Sequence, residues 1–289
     1  MAVLKDIRRK INAVQKTRQI TRAMNMVAAS KFKAAQGKMV NFRPYSESFM
    51  EVLNELSANI GIESHPLMAV REPKRIRVLL ITSDRGLCGG FNNNLIKTAE
   101  RFIAEKHKAG LDVELLTIGR KGKDFFKKRS TILSARTDVL QRFDMSLAVG
   151  VSEDIIPPFL AEVYDEFYII YNEFFNVSVQ KPKVLKLLPL AAIKKSEDLK
   201  VETEYIYEPS AKEILEKLLP MYIHVMLYRA FAETSAGENG ARMAAMDNAT
   251  RNCEDIIESL TLKYNKARQA AITAELMDIV GGAEALAKG

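Results

Sequence analysis

The stretch 78-VLLITSDRGLCGGFNNNLIKTAERF-102 reads as a buried strand, a glycine-rich turn and a helix. Val78-Leu79-Leu80-Ile81 is a continuous apolar run, as a strand covered on both faces requires. Gly86, Gly89 and Gly90 then punctuate the chain, Asn92–Asn94 suit a helix cap region, and Gly110 suits the helix stop. Strand, glycine turn and helix is also how many proteins hold a phosphate. The spacing does not fit that use. GxGxxG needs glycine two and five residues after the first, where Cys88 and Phe91 follow Gly86. A second candidate, 117-TIGRKGKDFFKK-128, places Gly119 and Gly122 after a strand but has Asp124 where a Walker loop needs Ser or Thr, and the chain has no GKS or GKT. Glycines that permit a tight turn and close helix–sheet contact are the preferred reading. A phosphate-binding enzyme stays as the alternative.

Working outward, residues 76–190 alternate short apolar runs with amphipathic stretches. IRVLLIT (76–82), VELLTIG (113–119), FYIIYN (167–172) and KVLKLLPL (183–190) are expected strands, and residues 91–110 and 152–166 expected helices. This is a βαβ pattern, so an α/β, Rossmann-like domain is predicted over 76–205. A linker, 59-NIGIESHPLMAVREPKR-75, precedes it.

The ends are helical. In 1–58, Leu4, Ile7, Ile11, Val14, Thr21, Met24, Ala28, Phe32, Ala35, Met39 and Phe42 recur at threes and fours, with Arg18 and Thr21 as polar interruptions. In 209–287 a strict heptad passes through Leu218, Tyr222, Val225, Arg229, Ala232, Ala236, Asn239, Met243, Met246, Thr250, Cys253, Ile257, Leu260, Tyr264, Ala267, Ala271 and Ala274. A sustained 3.5-residue period predicts a left-handed coiled coil, with the two terminal helices paired antiparallel. Pro220 and the pair Gly237/Gly240 are expected kinks or loosened turns. At ~1.5 Å per residue the C-terminal helix exceeds ~100 Å and outruns its mate, so its end needs a sleeve of other subunits.

The net charge of +7 is unevenly spread: residues 1–38 hold ten Lys/Arg and one acid, whereas 209–289 hold nine Lys/Arg and eleven Asp/Glu. A basic end seeks an acidic partner, whether protein, lipid or nucleic acid. The first 31 residues contain no aromatic, which disfavours base stacking, so a basic coiled-coil nucleic-acid binder is only a further alternative. No run of 18 apolar residues and no secretory h-region is present. Cys88 and Cys253 are the only cysteines and suggest a reducing compartment, and with three scattered histidines they give no zinc pattern. No catalytic constellation, metal site or cofactor motif stands out. The motifs GxSxG and HExxH are absent, and the adjacent acids at 153–154 and 254–255 do not face each other on a helix.

The blocks 7-IRRKINAVQKTRQITRAMNMVAASK-31, 82-TSDRGLCGGFNNNL-95, 238-ENGARMAAMDNATRN-252 and 264-YNKARQAAITAELMDIVGGAEAL-286 closely resemble the gamma subunit of F-type ATP synthases, of the bacterial type. That resemblance runs the length of the chain. It implies a non-catalytic central rotor shaft without cofactor, driven by proton or sodium flow through the membrane. It also implies a coil inside a ring of alpha and beta subunits, and a Rossmann-like domain beside the epsilon subunit and the c-ring. The implied location is the cytoplasmic face of the cell membrane, reached only through the complex. By motif, Arg22, Met24 and Lys31 are expected near an acidic beta-subunit loop at the collar, with Arg242 a further collar candidate. Gln269 and Thr273 fall at a beta-subunit loop higher in the shaft, Cys88 near the beta subunits, and Tyr205, Tyr207 and Glu208 at the foot on the c-ring. The chain lacks the cysteine-pair insertion of chloroplast members, so that thiol switch is not expected.

Overall fold

The structure, a computed structural model, describes residues 2–59, 65–190 and 211–287. In chain order the elements are α1 (Ala2–Asn59), a 3-10 turn (Pro66–Met68), β1 (Arg75–Ile81), α2 (Phe91–Lys108), β2 (Asp112–Ile118) and α3 (Arg120–Phe126). Then follow β3 (Ile132–Arg136), α4 (Met145–Ser152), α5 (Ile156–Leu160), β4 (Glu166–Phe174), β5 (Gln180–Leu188) and α6 (Ala211–Ala287). Contacts group the chain into two compact units, Ala29–Arg242 and Met1–Ala28 with Met243–Gly289.

In the larger unit the strands form one sheet in the order β3-β2-β1-β4-β5. The pairs β2–β3, β1–β2 and β1–β4 are parallel, and β4–β5 is antiparallel. Two apolar layers cover it. On one face Ile76, Val78 and Leu80 pack with Leu95, Ile96, Ala99 and Ile103 of α2 and Phe126 of α3. On the other, Leu79, Ile81, Ile118, Ile169 and Tyr171 pack with α4, α5 and Leu219, Ile223, Leu227 and Phe231 of α6. Each fully buried side chain of this kind is worth about 1.5–3 kcal/mol, so the central strands read as unbroken apolar runs because both faces are covered.

Three local expectations change. The single helix expected over 152–166 is two short helices, α4 ending at Ser152 and α5 starting at Ile156. Pro157 and Pro158 supply no N–H and therefore sit in the first turn of a new helix. Helix α4 begins earlier, where the Asp144 carboxylate accepts from Leu147 N at 3.1 Å. Strand β3 was not foreseen. Strand β5 follows β4 through a hairpin instead of a crossover helix, so it is an antiparallel edge, with Pro182 and Lys181, Lys183 and Lys186 guarding it against further pairing.

Helix α6 is unbroken at Pro220, Gly237 and Gly240. Neither glycine is a loosened turn, and Gly237 is a point of close approach, whereas at Gly240 a side chain would meet only ordinary packing contact. A Cβ on Gly237 would lie 3.0 Å from the Phe91 ring and one on Gly240 would lie 3.5 Å from the Phe32 ring. From Ala230 to Gly237 this helix is buried all round, because the α/β layers surround it.

The smaller unit is a two-helix coil. Along α1 the least exposed positions are Leu4, Ile7, Ile11, Val14, Arg18, Thr21, Met24, Asn25 and Ala28. Along α6 they are Met246, Thr250, Cys253, Ile257, Leu260, Tyr264, Ala267 and Ala271, which is the predicted heptad. Thr21 Oγ1 and Thr250 Oγ1 lie 2.8 Å apart, Asn25 Nδ2 donates to Met243 O at 2.9 Å, and Arg18 meets Glu254 at 3.9 Å. Ascending numbers on α1 meet descending numbers on α6, so the pair is antiparallel. Carried along, that register sets Leu4 level with Ala267, so among the described residues α6 beyond residue 271 has no α1 residue beside it. There Ile272, Leu276, Met277, Ile279 and Val280 are all exposed.

Candidate functional site

The sheet reverses its winding between β1 and β4, and the crevice at the carboxyl ends of those two strands is where α/β proteins place a nucleotide. Here that crevice is occupied by the chain itself. Gly237 of α6 presses on Phe91 at the start of α2. Asn172, near the end of β4, donates to Phe91 O at 3.2 Å, and the Glu233 carboxylate of α6 accepts from Phe174 N at 3.3 Å. Arg242, one turn past Glu238, donates to Gly86 O at 3.3 Å and Arg85 O at 3.4 Å in the glycine turn.

The turn is tied just as closely from within. Asn92 accepts from Ser83 N at 3.0 Å and donates to Ser83 Oγ at 2.7 Å, with Cys88 Sγ 3.2 Å from the same amide nitrogen. Ser83 Oγ also donates to Arg85 O at 2.7 Å. Cys88 is buried, 2% exposed. Burial pushes its thiol up, although Arg242 opposes the shift, so it is not an activated nucleophile.

The second glycine segment is also spoken for. The first N–H groups of α3 are the donors that would cradle a phosphate. Arg120 N donates to the Asp84 carboxylate at 3.0 Å, Lys121 N to Ser83 O at 3.1 Å and Gly122 N to Thr82 Oγ1 at 2.8 Å. A carboxylate thus stands where an anion would bind, and the two glycine segments are stitched to each other. The glycines serve close approach: Gly119 has φ +94° and Gly89 φ +57°, both in the left-handed region. Gly90, at φ −79°, needs no such freedom.

The structure separates the candidate contact residues by environment. In the coil, Arg22 is exposed and Met24 half-buried in the seam. Gln269 and Thr273 are both exposed on α6, with Thr273 Oγ1 donating to Gln269 O at 3.0 Å. In the larger unit, Lys31 is exposed and reaches Gln141 Oε1 at 3.5 Å. Arg242 is turned inward, paired with Glu238 at 2.6 Å, the two side chains only 11% and 13% exposed. Burial raises the Glu238 carboxyl, against the pull of Arg242 and Lys31. Arg242 and Cys88 therefore come together around the glycine turn, as an intrachain cluster. Tyr205, Tyr207 and Glu208 lie outside the described residues. Sequence reading missed Asp84, Glu233 and Glu238, and it missed Leu87, which stands out of the turn; it took Asn92 for part of a helix cap, whereas Gly90 stands at the cap and Asn92, inside α2, ties down Ser83 and Cys88. Only the four-residue spacing of Glu238 and Arg242 on a helix carried a signal.

Comparison with known proteins gives one answer. The family described as ATP synthase matches residues 3–286. The ATP synthase gamma chain of Syntrophus aciditrophicus (strain SB) is 61% identical, over 100% of both chains. That of Maridesulfovibrio salexigens is 47% identical over 99% of each. Among solved structures, the central stalk and c-ring of the Tetrahymena thermophila mitochondrial ATP synthase contains a chain 28% identical, covering 80% of this chain and 99% of that one, with a TM-score of 0.63. A chain of the Euglena gracilis mitochondrial ATP synthase in rotational state 3 superposes with a TM-score of 0.69 over 99% of this chain and 95% of that one; at 20% identity it speaks for the fold alone.

Proposed function

Since the chain belongs to the ATP synthase gamma family, we propose that it works as a shaft read by shape and charge, turning inside a sleeve and carrying no chemistry of its own. It is the non-catalytic central rotor subunit of an F-type ATP synthase and couples to the catalytic beta subunits. It is part of the rotary complex of catalytic head and c-ring. Among the described residues no helix is long and apolar enough to cross a membrane, and a peripheral tie to the membrane-bound complex is part of this reading.

The finer assignments extend this reading. The alpha and beta subunits form the sleeve around the coil, while the epsilon subunit and the c-ring hold the α/β domain at the cytoplasmic face of a bacterial membrane. Arg22, Met24 and Lys31 face the collar, Gln269 and Thr273 face a beta-subunit loop, and Tyr205, Tyr207 and Glu208 form the foot. The observation that carries the sleeve is the end of α6. Past residue 271 it presents Ile272, Leu276, Ile279 and Val280 to solvent, an arrangement marginal in water without a surround.

An asymmetric shaft touches each of three equivalent sites differently, and rotation shifts each site's population in turn. Affinity purification of the intact complex through this chain, followed by assay of ATP synthesis in membrane vesicles, tests the reading. Recovery of alpha, beta, epsilon and c subunits with coupled synthesis is expected. Recovery of the chain alone, or saturable ATP binding by it, overturns it.

A further inference from the structure

Helices α1 and α6 each carry a proline inside, Pro44 and Pro220. Such a proline removes one N–H from the ladder and crowds the carbonyl four residues back, so each helix yields most easily there. Phe49 and Leu53 of α1 pack on the core of the sheet, but a load that enters α1 at those residues must cross Pro44 to travel on towards Ala2. In α6 the weak point is passed by burial: Ile223, Leu227 and Ala230 to Gly237, all beyond Pro220, are buried.

Helix α1 is held beyond its proline by two loops. One is the strap 137–144 between β3 and α4. Both its ends are moored: Asp138 pairs with Arg120 at 2.7 Å, and the Asp144 carboxylate accepts from Ser146 Oγ at 2.6 Å and from Leu147 N at 3.1 Å. Leu140 and Phe143 of the strap are buried. Lys38 Nζ donates to Phe143 O at 2.9 Å and lies 4.6 Å from the centre of the Phe143 ring. The Tyr228 ring of α6 meets both Phe143, at 5.3 Å, and Phe42 of α1, at 4.3 Å. The other loop is the β4–β5 hairpin, where the Phe174 ring lies 5.8 Å from that of Phe32, and Val177 joins Phe32, Ala35 and Ala236 in one apolar cluster.

We propose that the strap and the hairpin form a two-sided grip on α1, with Lys38 and Phe174 as its positioning residues, and that the turning load passes through this grip between the α/β domain and α1 without crossing Pro44. This rests on the rotor reading, in which domain and coil bear opposing loads. Two helices that are both anchored share a twist like springs in parallel, whereas a helix left free at its base only follows the other. Lys38 is exposed and makes no ion pair among the described residues. A lysine spent at a wet site on a carbonyl and a ring face adds little to folding, but it ties the strap to the side of Pro44 on which α1 runs on as the coil.

The test uses the assembled complex, with its catalytic head fixed to a surface and a probe on the α/β domain, and reads the angular fluctuation of the probe while rotation is stalled. The thermal midpoint of the isolated full chain is read beside it. Lys38→Met and Phe174→Ala should each raise the mean-square fluctuation, and together should raise it about twofold, the limit for losing one of two equal anchored helices. Lys38→Arg, which keeps the donor and the ring contact, should stay at the wild-type value. Pro44→Ala alone should change nothing, but added to the double variant it should restore much of the stiffness, because only there does the load cross residue 44. Wild-type fluctuation in the double variant, whatever its midpoint, would assign these contacts to folding and overturn the proposal; should that variant not assemble, Lys38→Met alone decides in the same way. A stiffer shaft from Pro44→Ala alone would also overturn it, since the load would then already run through the helix. A probe that does not turn when ATP is supplied to the wild-type complex would instead strike the rotor reading.

Discussion

Gly119 lies so close to β1 that a Cβ placed on it would be 2.0 Å from the carbonyl oxygen of Thr82. Thr82 N in turn donates to Ile118 O at 2.8 Å, and Gly122 N donates to Thr82 Oγ1 at 2.8 Å, so backbone cannot give way on either side. With φ at +94° the position is unsuited to any L side chain. Gly119→Ala should therefore cost about 3 kcal/mol or more. Urea unfolding of the isolated chain checks this, and a midpoint within error of wild type would contradict it. Gly90→Ala should be far milder, because its Cβ would meet only the side chain of Asn94, at 3.0 Å.

Arg242 and Glu238 form a nearly enclosed pair. Arg242→Ala leaves a buried carboxylate and two turn carbonyls without their donor, and should destabilise the domain by about 3–5 kcal/mol. Adding Glu238→Gln should recover part of that loss, since the amide carries no charge to strand. A double variant no more stable than Arg242→Ala alone, in the same unfolding assay, would mean that the pair is not coupled.

What was legible in the sequence follows from what periodicity can report. The seam of α1 and the heptad of α6 were readable because a coil buries one stripe, and Ile7, Ile11, Val14 and Ile257, Leu260, Tyr264 mark it. The same heptad says little about Ala230–Gly237, where the helix is enclosed on all sides. Strand β3, Ile132–Arg136, alternates half-buried and exposed residues over only five positions, too short to declare itself. At the candidate site the motif located Arg242 and Cys88, but not that they turn inward. That depends on α6 entering the crevice, which brings positions more than 150 residues apart into contact and leaves no local pattern.

His65 and His224 make acid destabilising. His224 Nε2 lies 2.8 Å from Ser152 Oγ, and His65 Nδ1 accepts from Leu67 N at 3.1 Å. Burial lowers both pKa values; for His65 it does so against the opposing pull of Glu216. Lowered pKa values mean that the unfolded chain binds protons first. Their stabilisation is thus complete above the ordinary histidine value near 6.5 and is lost as pH falls below it towards the folded values. Between pH 7.5 and 5.5 the unfolding midpoint of wild type should fall more than that of His224→Gln. Equal falls would remove His224 from the account.

The Thr21 and Thr250 hydroxyls bridge the coil at 2.8 Å, and each also reaches a carbonyl of its own helix, Arg18 O and Met246 O. Replacing either by Val should cost about 1 kcal/mol, and replacing both should cost less than the sum, because the second change removes a hydroxyl that has already lost its partner. Additive losses in denaturant unfolding would show that the two hydroxyls do not share a bond.

Small residues near the end of α6 separate packing within the chain from fit within a sleeve. Ala267 is half-buried and level with Leu4, Ala271 is half-buried at the limit of α1, and Ala274 is exposed beyond it. A tryptophan at Ala267 should overpack the coil and cost the isolated chain roughly 1–3 kcal/mol. At Ala274 the same change meets no α1 residue and should leave the isolated chain within about 0.5 kcal/mol of wild type. Inside a close sleeve the ranking of function differs from the ranking of stability. Ala274→Trp, and Ala271→Trp with it, should lower ATP synthesis in membrane vesicles, normalised to assembled complex, with the catalytic residues untouched. Removing the chain from Glu284 onward should cost far less, because 281-GGAEALAKG-289 leaves the heptad. If Ala274→Trp synthesises ATP at the wild-type rate, nothing surrounds the tip closely, and its exposed apolar residues need another explanation.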